Sequence, residues 1–300
     1  MKHLRTGIAA CAVAVALAVG GCTGQADETT SGTAEQGTAL DQAGETERSA
    51  EEPFSLTRDE LVIDETITDD ADESHAIIAD GTTESYRSIE VVKTGDADGD
   101  GADFYGTNAA VLATNGASLD LADSIVTSDG THANAVFSYG EGTVVNIAHS
   151  IIETTGDCSG GIMVTGGGTL NATDLYVHTT GNSSAAIRSD RGGGTENISG
   201  GTYITDGIGS PVIYSTADVT VSDATLESTA SQGVVVEGKN SVTLVDCNLI
   251  ASNTAKNSDK SDWYQAVMIY QSMSGDAAEG EAFFTMEGAA SSIGTATFSS

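Results

Sequence analysis

The chain has 300 residues, with 44 acidic against 11 basic side chains and a formal net charge of −33. So acidic a surface excludes a nucleic-acid partner, because phosphate binding requires a basic face. Thirty-six Gly, 2 Pro and 5% aromatic residues suit a thin interior interrupted by many turns.

The chain opens with Met1-Lys-His-Leu-Arg5, a short basic start, followed by the apolar run Ile8 to Val19 and Gly20-Gly-Cys22. That pattern reads as a secretory signal peptide over residues 1–21, too short for a stable membrane span. Leu17-Ala-Val-Gly-Gly-Cys22 resembles a bacterial lipobox, which implies that Cys22 is lipidated and becomes the mature N-terminus. An ordinary cleaved signal with an incidental Cys is the alternative. The expected location is the cell membrane, lipid-anchored and facing outward. Residues 22–53 follow as a flexible linker, since Thr23 to Pro53 carries eight acidic residues and one basic one, Arg48, with little apolar surface to bury. Loss of the signal leaves 9 basic against 44 acidic side chains, a formal charge of −35.

Residues 54–106 are expected to form N-terminal capping coils. Within them, Asp96-Ala-Asp98-Gly-Asp100-Gly101-Ala-Asp103 alternates hard oxygen ligands as the first half of an EF-hand does. The twelfth position is Thr107, where a bidentate Glu is required, so an EF-hand is ruled out. A looser Ca2+ loop through Asp96, Asp98, Asp100 and Asp103 stands beside the simpler reading of an acidic turn.

From residue 107 to 287 one phrase recurs. Its central aliphatic residue falls at Val111, Val136, Ile162, Ile187, Ile213 and Val235, in steps of 25, 26, 25, 26 and 22, with Met268 a further 33 on. A second segment in each unit alternates apolar and polar residues with the two-residue period of a half-buried strand, as in Leu119-Asp-Leu-Ala-Asp-Ser-Ile-Val126 and Val145-Asn-Ile-Ala-His-Ser-Ile-Ile152. The fifth position of that segment is Asp123, His149, Asp174, Asp223 or Asp246, suited to a bend because such side chains accept bonds from nearby backbone. A third strand then begins at Val126, Ile152, Val177, Leu226 or Leu249. Three strands per lap and aliphatic columns repeated once per lap specify an all-β solenoid, a single-stranded parallel β-helix. A β-sandwich would not need the same residue type in the same slot of each unit. The lap length of 22–26 residues resembles the right-handed pectate-lyase-like class.

On the strand holding Val111, the next residue points outward and forms the column Leu112, Phe137, Met163, Arg188, Tyr214, Val236, Ile269. An exposed apolar strip of that length calls for an occupant. Phe137 and Tyr214 could lie against sugar rings and Arg188 could pair with an acidic group; equally, a segment within 54–92 could cover the strip. Arg188 also reads as a salt-bridged corner. The column Ser128, Thr154, Thr179, Thr205, Ser228 could form hydroxyl ladders, with ice binding a remote reading. Cys158 and Cys247 are several coils apart, too far for a disulfide. No GxSxG, HExxH or CxxC occurs, so no catalytic residue is assigned.

The phrases Asp103-Phe-Tyr-Gly-Thr-Asn-Ala-Ala-Val-Leu-Ala-Thr114, Ala186-Ile-Arg-Ser-Asp-Arg-Gly-Gly-Gly194, Gly233-Val-Val-Val-Glu-Gly-Lys-Asn240 and Met268-Ile-Tyr-Gln-Ser-Met-Ser-Gly-Asp276 resemble those of uncharacterised β-helical surface lipoproteins of anaerobic gut bacteria, often labelled adhesin-like. The resemblance spans about residues 85–287. It implies fold and location and transfers no catalytic residue. Two departures stand out. Glu196 replaces the aliphatic residue of the fourth copy, so that coil is expected to be irregular. Residues 288–300 lose the repeat, as a truncated, fragmentary or partnered end would. The function expected is a non-enzymatic, adhesin-like binding module for glycans or host matrix; the alternative is a calcium-dependent polysaccharide lyase or a glycoside hydrolase.

Overall fold

The computed structural model describes residues 53–252, 265–271, 275, 277–288 and 292–294; the expected signal peptide, Cys22 and the expected linker up to residue 52 lie outside them. Every strand pairing is parallel, and the strands stack into three sheets. A leading strand, Glu65–Asp69, is followed by eight successive triplets, here coils 1 to 8. Coil 1 comprises Ile77–Asp80, Thr83–Arg87 and Ile89–Lys93, and coil 8 comprises Val267–Tyr270, Phe283–Glu287 and Ser292–Gly294. The first strand of each coil joins sheet B, the second sheet C and the third sheet A. The chain is therefore a parallel β-helix.

Stacking follows the expected column through Val111, Val136, Ile162, Ile187 and Ile213, which are direct register partners. The column then departs from expectation by one residue. Ile213 pairs with Val234, and Val234 with Val267, so Val235 and Met268 belong to the outer column in place of Val236 and Ile269. Three consecutive valines, Val234–Val236, satisfy either register on composition. The side chains settle it: Val234 and Val236 join the central core, whereas Val235 faces outward.

Corners keep the laps in step. Asp123, His149, Asp174, Asp223 and Asp246 all have φ between 45° and 55°, a left-handed bend that Asp and His tolerate better than most residues. A second corner was not read from the sequence. Gly130, Gly156, Gly181 and Gly207 stack there, and a Cβ on any of them would sit within about 2 Å of the carbonyl oxygen of the glycine one coil before. Three residues after Gly156, Gly181 and Gly207 stand Ser159, Ser184 and Ser210. Their hydroxyls donate back to the carbonyls of Gly130, Gly156 and Gly181 at 2.8, 3.0 and 2.8 Å. A G-x-x-S phrase thus bolts each lap to its neighbour.

The column Ser128, Thr154, Thr179, Thr205, Ser228 is buried, which overturns the ice-binding reading. Thr154 and Thr205 donate to the carbonyls of Ser159 and Ser210, both at 2.6 Å, so these hydroxyls hold the serine corner from inside. The fourth copy is regular as well. Gly194–Ser199 pairs in full register with its neighbours, and Glu196 stacks between Leu170 and Val219 with its side chain in the core. Backbone hydrogen bonding sets the strand, so a misfit side chain is carried inward rather than expelled.

Candidate functional site

Two of the three outer faces carry straps from the chain itself. On sheet A, Leu56 and Leu61 pack on Ile125 and Ile151, with Phe54, Ile63 and Tyr176 at the margin. Arg58 reaches Glu90 at 3.0 Å and Glu153 at 2.7 Å. This segment is the one expected to cover a sheet, yet it covers sheet A and not the strip on sheet B.

The strip on sheet B is covered by the short helix Asp100–Tyr105 and the turn behind it. Leu112, Phe137 and Met163 are buried with Ala109. Gly106, in a left-handed conformation with φ 68°, lies so close that a Cβ there would meet Phe137 at 2.9 Å and Leu112 at 3.0 Å. Polar groups hold the helix at its flanks. Thr165 donates to the Phe104 carbonyl at 2.7 Å, and Arg191 stacks 3.9 Å from the Phe104 ring centre. Asp103 takes His132 Nδ1 at 2.9 Å and Arg188 Nη2 at 3.4 Å.

This arrangement decides where the residues expected to bind ligand fall. Phe137 has no exposed surface and packs on chain, so it offers nothing to a sugar. Arg188 is buried between Asp103 and Asp190, the latter at 3.2 Å, and also donates to the Cys158 carbonyl at 3.1 Å; it is the salt-bridged corner. Tyr214, half-buried, donates to Glu237, which also accepts from Tyr270. The three expected residues share one face but form no common ligand surface.

The aspartates of the expected calcium loop face different partners or solvent. Asp96 accepts the Thr131 amide at 2.8 Å, Asp98 and Asp100 are exposed, and Asp103 turns onto sheet B. Among the described residues, no three His, Cys, Asp or Glu side chains converge to hold a metal ion. Cys158 and Cys247 form no disulfide and are buried.

The charges on sheet B shift one another. Burial works to raise the Asp103 carboxyl, but the His132 hydrogen bond and the Arg188 charge outweigh it and hold it below its ordinary value. Asp190 is pushed up to about 6, because burial exceeds what Arg188 returns. One guanidinium serves two carboxylates, and the deeper of them holds its proton the more tightly. Burial and the neighbouring Tyr270, Asp190 and Glu237 raise the Tyr214 hydroxyl well above its usual range.

Sheet C carries no comparable strap among the described residues, and its outward side chains Asp120, Thr173, Asn197 and Thr220 are exposed. Down its middle runs a ladder of polar side chains in one register column: Asp120, Asn146, Asn171 and Asn197. Each amide donates to the rung before it, Asn146 to Asp120 at 2.7 Å, Asn171 to Asn146 at 2.8 Å and Asn197 to Asn171 at 3.0 Å. An amide has two N–H donors and an oxygen with two lone pairs, so every asparagine retains a donor and an acceptor for a ligand. The same face is hollowed into an open groove of about 420 Å³ lined by Ser85, Arg87, Asp120, Asn146, Asn171 and Thr173, among others, within the size of small-ligand sites. The sequence signal was present as the polar residue between apolar ones in each second segment, but it reads there only as the solvent side of a strand.

The fold and this face define a parallel β-solenoid with a polar sheet that is open among the described residues, an architecture compatible with pectate-lyase-like proteins. No known protein family, curated protein or solved structure matches the chain.

Proposed function

We propose that the protein is a lipid-anchored module on the outer face of the cell, held by Cys22 and its acidic linker, that binds glycan along sheet C without chemically altering it. The carrying observation is the amide ladder with its unspent donors and acceptors on the unstrapped face. Rungs recur about every 4.8 Å, so a polysaccharide lying along the solenoid axis would meet one donor and one acceptor at each lap. The net charge of the processed chain, −35, repels uronic or sulfated chains and favours uncharged glycans.

Intact cells displaying the protein test both parts. Binding to an uncharged-glycan array should fall to background in the double variant Asn146→Ala with Asn171→Ala, whose circular dichroism should match wild type. Cys22→Ser should move the protein, and the binding, into the medium. Binding at background with wild type, or unchanged binding in the double variant, would count against the reading.

A glycoside hydrolase is the second reading. Asp190 and Glu237 both act on the Tyr214 hydroxyl; Asp190 follows the strand Ile187–Ser189 and Glu237 ends the strand Val234–Glu237, two laps on, which is roughly 9–10 Å along the stack. That spacing lies near the range of an inverting carboxylate pair, and the raised Asp190 has the character of a general acid. Reducing-sugar release from neutral polysaccharide that disappears in Asp190→Asn would favour it; no release from any substrate would remove it.

A further inference from the structure

Glu196 is fully buried, and neither of its carboxyl oxygens has a hydrogen-bond partner. Tyr203, on the third strand of the same coil, is also fully buried with an unpartnered hydroxyl. These two groups account for three of the five buried, unpartnered side-chain atoms among the described residues, all in coil 5. An ionised carboxylate cannot persist there without a partner, because its desolvation far exceeds what a protein of ordinary stability can absorb.

No charged side chain faces Glu196 from any packed element. Along sheet C its neighbours are Leu170 and Val219. The inward residues of the other two strands of its coil are Ile187 and Ser189 on one side, Tyr203 and Thr205 on the other. Tyr203 is the one titratable group among them; Asp174 and Cys247 act electrostatically on that tyrosine. Arg188 and Asp190 project to the outer face of sheet B, where they pair with each other. The pocket is therefore uncharged around a carboxylic acid.

We propose that Glu196 makes coil 5 a pH-sensitive rung, in which the solenoid is closed while this side chain is protonated and loosens at its middle as the acid ionises. Burial alone raises this acid well above its ordinary value, so the native chain binds a proton that the unfolded chain releases. The contribution to stability is complete below the unfolded-state value near 4.5. It declines as pH rises, until the folded-state value is passed. Tightest at mildly acidic pH, the rod would open first between coils 4 and 6.

The experiment compares wild type with Glu196→Gln, an isostere that cannot ionise, and Glu196→Leu, which restores the residue type of Leu170. Melting temperatures are measured at about pH 5 and about pH 8. General charge repulsion and Asp190 act equally in all three proteins and cancel in the comparison. The wild-type melting temperature should fall between the two pH values by at least about 3 °C more than that of either variant. Should the variants fail to fold, the infrared spectrum of wild type at about pH 8 decides instead: a carboxylic-acid C=O band must be present. Equal falls in all three proteins, or no such band in folded wild type, would overturn the proposal.

Discussion

Gly156→Ala is the sharpest perturbation of the corner that sets the rise of the solenoid. Its φ lies outside the left-handed region, so the backbone conformation itself permits alanine; the obstacle is space. A Cβ at this position would lie 1.9 Å from the Gly130 carbonyl oxygen, 2.5 Å from its carbon and 3.1 Å from the Asp129 oxygen. Contacts under 3.0 Å do not persist, so the two laps must part locally by more than an ångström. They cannot do so freely, since Ser159 donates to that same Gly130 oxygen and Ser184 to the Gly156 oxygen. Overpacking of this kind costs about 1–3 kcal/mol, and weakening the serine bonds adds about 1 kcal/mol. For a folded unit of about 200 residues, roughly 2–4 kcal/mol corresponds to a melting temperature lower by about 4–16 °C. Thermal denaturation followed by circular dichroism reads this directly. A melting temperature within about 2 °C of wild type would mean that the glycine column is incidental and that the lap spacing is set elsewhere.

Phe137→Ala removes a fully buried ring from beneath the helical strap and should cost about 3–5 kcal/mol; limited proteolysis should then cut within residues 98–106, and resistance equal to wild type would place the strap's anchorage outside this ring. Asp190→Asn tests the shared guanidinium. Because the folded value is raised to about 6 from an ordinary value of 3.8, the native state retains the proton longer than the unfolded state, and stability falls as pH rises from about 4 through about 6. The asparagine variant should show a flatter decline over that window in urea titrations, and an identical slope would refute the assignment.

Periodicity alone determined the parallel β-helix, because like residues at a fixed interval can bury themselves only by stacking lap on lap. The aliphatic columns, the aspartate bends and the ladder positions all stand in the same slots in sequence and in space. Register failed at Val234–Val236, where three identical side chains leave the phase open and only the backbone pairing of Ile213 with Val234 chooses. Which face is bare was likewise beyond the sequence. The straps over sheets A and B come from segments without repeat character, and their docking depends on fits such as Gly106 against Phe137 that no spacing encodes. Glu196 lies between these cases: its slot was legible, whereas its complete isolation from partners is a property of the closed coil, since only the assembled neighbours exclude water.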